Sequence, residues 1–142
     1  MAAKRAAKVY LSVPMIANRS LNRAMLLARV IEEAGYEVTS PWVLGKLETD
    51  VVAQVDVFKR DKEGAENCDV LVADVTEAST GVGMEIMAAH KAEKRIVLVA
   101  RRGKITSRML MHMQPKEIVE YDDDESLARG LAQALRAPGN LK

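Results

Sequence analysis

Two carboxylates and one small-residue turn are the parts of this chain equipped for chemistry. Residues 68–85 read CDVLVADVTEASTGVGME. The run from Val70 to Val75 is mostly apolar and β-branched, as in a strand covered on both faces. Ser79, Gly81 and Gly83 then strip side-chain bulk from the handover to a helix, where ligands sit in an open α/β sheet. A bare turn admits a ligand to the backbone, Glu85 faces whatever binds there, and Ser79 with the Gly81 and Gly83 amides at a helix start suits an anion. The second acid, Asp61, falls on a helical stripe that is otherwise apolar or small: Val51, Val55, Phe58, Asp61, Ala65, Cys68. From spacing alone each acid also has an ordinary reading. An acid in the first turn of a helix is favoured by the macrodipole, and a carboxylate at a stripe edge can simply be solvated.

The elements that must position these groups follow from periodicity. Lys8–Val13 reads as a strand stopped by Pro14. Asn18 or Ser20 caps a helix whose stripe is Leu21, Ala24, Met25, Ala28 and Ile31, closed by a left-handed Gly35. Residues 36–40 form a second strand, ended by Pro41-Trp42. Thr49 or Asp50 opens the helix that carries Asp61. Strands at 69–75, 95–100 and 117–121 alternate with helices at 83–93 and 125–136, and a basic loop with a Met-rich helix fills 101–114. Met109, Leu110, Met111 and Met113 read as core or dimer packing. This alternation predicts a single-domain, doubly wound, flavodoxin-like or Rossmann-like sheet of five parallel strands with flanking helices. The domain spans residues 1–142, with its core at 8–137.

Bulk properties narrow the function classes. The chain has 142 residues, a size for one domain, and 49% are hydrophobic. A net charge of +1 gives no electrostatic case for a nucleic-acid polymer or an acidic membrane. No apolar run approaches a membrane span. The single cysteine, Cys68, excludes an internal disulfide framework and fits a reducing compartment, so the expected location is the cytoplasm. There is no Walker A loop, no G-x-G-x-x-G after the first strand and no G-x-S-x-G elbow. His90, His112 and Cys68 are too scattered for metal ligands. The acidic pair of a phosphoacceptor domain is missing after the first strand, where Ser12-Val13-Pro14 stands. No cofactor or metal is expected.

Four features, in order along the chain, resemble the nucleoside 2-deoxyribosyltransferase superfamily, and within it the 2'-deoxynucleoside 5'-phosphate N-hydrolases. They are Val9-Tyr10-Leu11-Ser12; Phe58-x-x-Asp61; Asp69–Thr76 running into Ser79-x-Gly81-Val82-Gly83-x-Glu85; and Gly103-x-x-x-Ser107-x-Met109. The third is the most specific, and the resemblance covers residues 8 to about 135. It implies that Glu85 is the nucleophile at the sugar's anomeric carbon and that Asp61 is the acid and base. This is the two-carboxylate logic of retaining glycosidases. Tyr10 would orient Glu85; otherwise it is a half-buried strand tyrosine with a wet hydroxyl. The resemblance further implies a nucleoside 5'-monophosphate substrate whose phosphate is held by Ser79 and by Ser107 from the neighbouring subunit of a homodimer. Arg101, Arg102 and Arg108 add charge there or form a solvated basic loop. Trp42 offers a face for base stacking; a core or interface role stands beside it.

One stretch departs from the pattern. The hydrolases carry Gly-Ser, an apolar residue and Arg after the first strand, and here Val13-Pro14-Met15-Ile16 occupies that place. Asn18, Arg19 and Ser20 are the candidates to replace the lost phosphate contact. The sugar is ribose or deoxyribose. The expected activity is hydrolysis of the base–sugar bond; a deoxyribosyltransferase and a nucleotide-binding module without turnover are the alternatives.

Overall fold

The computed structural model describes residues 6–15, 20–45, 56–105 and 107–137. β1 (Lys8–Ser12), β2 (Glu37–Val38), β3 (Val70–Asp74), β4 (Arg95–Arg101) and β5 (Glu117–Tyr121) form one parallel sheet in the order β2-β1-β3-β4-β5. Helices α1 (Leu21–Glu33), α2 (Val57–Asn67), α3 (Thr80–Lys91), α4 (Arg108–His112) and α5 (Asp124–Arg136) complete the described elements, with a 3-10 turn at Pro41–Leu44. The expected doubly wound sheet of five parallel strands is what forms.

Strand alternation sorts the side chains onto two faces. Val9, Leu11, Val72, Val97, Val99 and Tyr121 pack under α1 and α5, against Leu27, Ile31, Leu127 and Leu131. Tyr10, Leu71, Ala73, Ile96 and Leu98 pack under α2 and α3, against Ala65, Cys68, Val82, Ile86 and Ala89. Each large apolar side chain buried this way contributes about 1.5–3 kcal/mol. Cys68 ends α2 inside this second cluster, its thiol donating to the Ala65 carbonyl at 3.2 Å and pushed up to about 11 by burial.

Helix ends and stripes differ from expectation in four places. Ser20 caps α1, accepting from the Arg23 amide at 3.1 Å, and Gly35 takes the left-handed φ of 90° as expected. The buried face of α1, however, is Ala24, Leu27, Ala28, Val30 and Ile31, while Leu21 and Met25 turn outward. α2 is capped by Asp56, whose carboxylate accepts from the Lys59 amide at 3.0 Å; Thr49, Asp50, Val51 and Val55 lie outside the described residues. Phe58 is 60% exposed and its neighbour Val57 41%, so the first turn of α2 buries neither apolar side chain. α3 starts at Thr80, not Gly83, so no acid lies in its first turn.

β2 is only two residues long, and a side chain extends its work. The Ser40 hydroxyl accepts from the Leu11 amide at 2.9 Å and donates to the Leu11 carbonyl at 2.8 Å. The chain then leaves the sheet into the 3-10 turn that carries Trp42.

Candidate active site

The strand order reverses between β1 and β3, which places a crevice at their carboxyl ends. Glu85 stands there in the second turn of α3, where the macrodipole does not account for an acid. Its carboxylate is held from β1 by two hydroxyls on alternate residues of one strand face. Tyr10 donates to Oε2, and Ser12 donates to Oε1 at 3.1 Å. Both donors belong to residues with no exposed surface. The Tyr10 ring fits against α2 because residue 64 is glycine: a Cβ there would lie 2.6 Å from the ring.

Burial pushes the Glu85 carboxyl up to about 7. The Tyr10 and Ser12 hydrogen bonds and the Arg60 charge favour the carboxylate and hold the rise back, while the charge of Asp61 adds to it. Asp61 and Glu85, 24 positions apart in sequence, therefore share one electrostatic neighbourhood. Tyr10 itself is held well above the usual phenol range, first by burial and then by the Glu85 charge. Its proton stays on the hydroxyl and keeps pointing at Glu85.

Asp61 projects from α2 with its side chain 23% exposed and accepts from Arg60 Nε at 2.8 Å. Arg60 lies over the Trp42 ring at 4.0 Å, and Trp42 meets the Tyr10 ring edge-on at 6.1 Å between centroids. One face of Trp42 thus carries a guanidinium.

The remaining predicted residues fall into a second group. Ser79 caps α3, accepting from the Val82 amide at 3.4 Å, and Ser107 caps α4, accepting from the Leu110 amide at 3.2 Å. Ser79, Gly83 and Ser107 line one open cavity of about 990 Å³ between α3 and the segment around α4. Glu85, Asp61 and Tyr10 do not line it. A Cβ at Gly81 or Gly83 would meet no atom within 4 Å, so packing does not demand either glycine. Met84, Met87 and Met109 line this cavity and are exposed, whereas Leu110 and Met113, also on its lining, pack against the core. Arg101 and Arg102 turn to the β5 end instead, where Arg102 pairs with Asp122 at 3.0 Å and Arg101 bonds the Asp122 carbonyl. Asn18 and Arg19 lie outside the described residues. Among the described residues no group of three or more His, Cys, Asp and Glu side chains is placed to hold a metal ion, and no helix is long and apolar enough to cross a membrane.

Sequence reasoning passed over two partners. Ser12 was findable from the period of two that puts it beside Tyr10. Arg60 was hidden because neighbours on a helix do not ordinarily face each other.

No family model matches the chain. A Thermofilum pendens protein named for 2'-deoxynucleoside 5'-phosphate N-hydrolase 1 is 38% identical over 142 residues, covering 94% of this chain and 97% of that protein. A Methanosarcina mazei protein of the same name is 34% identical over 114 residues, covering 75% and 70%. Among solved structures, the CMP N-glycosidase of Clostridium botulinum superposes with a TM-score of 0.67 at 19% identity, over 89% of this chain and 98% of that one. At that identity the likeness is one of fold.

Proposed function

Because the chain belongs to the 2'-deoxynucleoside 5'-phosphate N-hydrolase family, we propose that it is an N-glycosidase acting on (2'-deoxy)nucleoside 5'-monophosphates. The products are free base and (deoxy)ribose 5-phosphate. The observation that carries this reading is the Glu85 carboxylate, gripped by the Tyr10 and Ser12 hydroxyls with Asp61 in charge contact.

The chemistry proceeds in two displacements. A Glu85 oxygen attacks C1' as the C1'–N bond breaks, and protonated Asp61 gives its proton to the leaving base. Water then attacks C1' of the glycosyl ester and gives a proton to Asp61. The ester bond breaks and the Glu85 carboxylate is restored. Two inversions retain configuration. A nucleophile with its midpoint near 7 is ionised in a substantial fraction at neutral pH, and the Tyr10 and Ser12 hydroxyls keep both oxygens aimed.

Ser79 and Ser107 are the proposed phosphate ligands, supported by hydroxyls at two helix starts and by the open backbone at Gly81 and Gly83. We further propose a homodimer in the cytoplasm, in which each Ser107 serves the neighbouring site. The exposed methionines around the cavity support such a pairing, since burying them against a second copy removes apolar surface from water.

The test is base release from deoxynucleoside 5'-monophosphates and from the matching nucleosides, with and without a second free base. The expected result is free base from the monophosphate, abolished in Glu85→Ala, with Ser107→Ala weakening the monophosphate more than the nucleoside. Full turnover in Glu85→Ala would overturn the nucleophile, and a new nucleoside formed on the second base would make the enzyme a transferase.

A further inference from the structure

Arg60 and Asp61 are adjacent on α2, where successive side chains leave the axis about 100° apart. They meet nonetheless, Nε to Oδ1 at 2.8 Å. Trp42 is what turns the arginine back. Its ring lies 4.0 Å from the guanidinium carbon, a cation–π contact worth about 0.5–2 kcal/mol. The indole is braced in turn by the edge of the Tyr10 ring, and Tyr10 donates to Glu85. A continuous run of contacts therefore joins the two carboxylates: Asp61, Arg60, Trp42, Tyr10, Glu85. The Arg60 and Asp61 side chains are 20% and 23% exposed, so the pair is shielded but open to a ligand.

Two carboxylates in a part-buried crevice repel each other and need an offsetting charge. The groups acting on Glu85 are the Tyr10 and Ser12 hydroxyls of β1 and the Asp61 and Arg60 side chains of α2. Arg60 is the cation of this set.

We propose that Arg60 is a positioning residue of the site: clamped on Trp42, it fixes the Asp61 carboxylate and supplies the positive charge that offsets the two acids. The role rests on reading Glu85 as nucleophile and Asp61 as proton carrier. It has two separable parts, charge and shape. Loss of charge lets Glu85 rise further, because the Arg60 cation counts among the forces holding it down. Loss of the planar guanidinium frees Asp61 even when a charge remains, since an ammonium is a compact point charge without a flat face to lay on an indole.

Arg60→Gln and Arg60→Lys separate the parts. The first readout is the titration of Glu85 by NMR of carboxyl-labelled glutamates, which needs no turnover. The second is the pH profile of kcat/KM for monophosphate cleavage, which reports free-enzyme ionisations. In Arg60→Gln the Glu85 midpoint moves up, so kcat/KM below the midpoint falls by more than it does on the plateau. In Arg60→Lys the midpoint stays near the parent value and the plateau falls. An unmoved midpoint in folded Arg60→Gln, or a parental plateau in Arg60→Lys, would overturn the proposal. A moved midpoint in a protein that releases no base from any monophosphate would sustain the charge role of Arg60 and count against the hydrolase reading instead.

Discussion

Glu85→Gln should make the protein more stable at pH 8 and leave it little changed at pH 4. The reason is the cost of a buried negative charge. The Glu85 carboxyl ionises near 4.5 when unperturbed and at about 7 in the folded chain. Between those values the folded protein keeps a proton that the unfolded chain has released. The stability contributed by the neutral carboxyl is thus full below 4.5 and is lost as pH rises through about 7. A displacement of about 2.5 units at 1.36 kcal/mol each corresponds to roughly 3 kcal/mol at pH 8. Glutamine keeps the shape, stays neutral at every pH and avoids that cost, although its amide cannot accept from both hydroxyls at once and gives some of the gain back. Urea midpoints of parent and variant, taken at pH 4, 6 and 8, measure the difference. A gain that grows with pH supports the assignment. A variant equally or less stable than the parent at pH 8 would mean that Glu85 sits in the fold as an unstrained carboxylate, and the argument for a tuned nucleophile would fail with it.

Two further substitutions test how the site is held. Gly64→Ala places a methyl group 2.6 Å from the Tyr10 ring; the ring must move, with a loss of about 1–3 kcal/mol in urea denaturation and a fall in kcat as the Tyr10–Glu85 bond is misaligned. Asp74→Ala removes the near partner of Arg23, which is bonded at 2.6 Å with the two side chains 3% and 14% exposed respectively, and leaves a shielded cation with only the longer, exposed Glu77 contact at 3.8 Å. The expected loss is about 3–5 kcal/mol, partly recovered when Arg23→Met is added, as a double-mutant cycle in urea will show.

The sheet was legible because its signal is local. Val70–Asp74 and Arg95–Ala100 are apolar on both faces, and only a parallel strand buried on both sides needs that pattern. The motif running from Ser79 to Glu85 could be placed in the fold from sequence because it follows a strand directly and opens a helix. Helix faces were read less well: Leu21, Met25 and Phe58 fit an apolar spacing yet turn outward, Met25 between the buried Ala24 and Leu27. The Arg60–Asp61 pair was invisible to helical spacing because it depends on a third residue, Trp42, arriving from a distant turn. Trp42 shows the same limit: its place after the second strand leaves a base or the core open as its partner, and only the fold reveals the guanidinium on one face.

The serine two residues past β2 has a reach beyond its own segment. A single hydroxyl at position 40 answers both the amide and the carbonyl of Leu11, the residue sandwiched between Tyr10 and Ser12. Those flanking side chains aim at the Glu85 carboxylate only as squarely as the peptide between them is seated. The alignment of the Glu85 oxygens is therefore inherited from a position that touches neither of them. Drift at that position would loosen the grip on Glu85 before either gripping residue had changed.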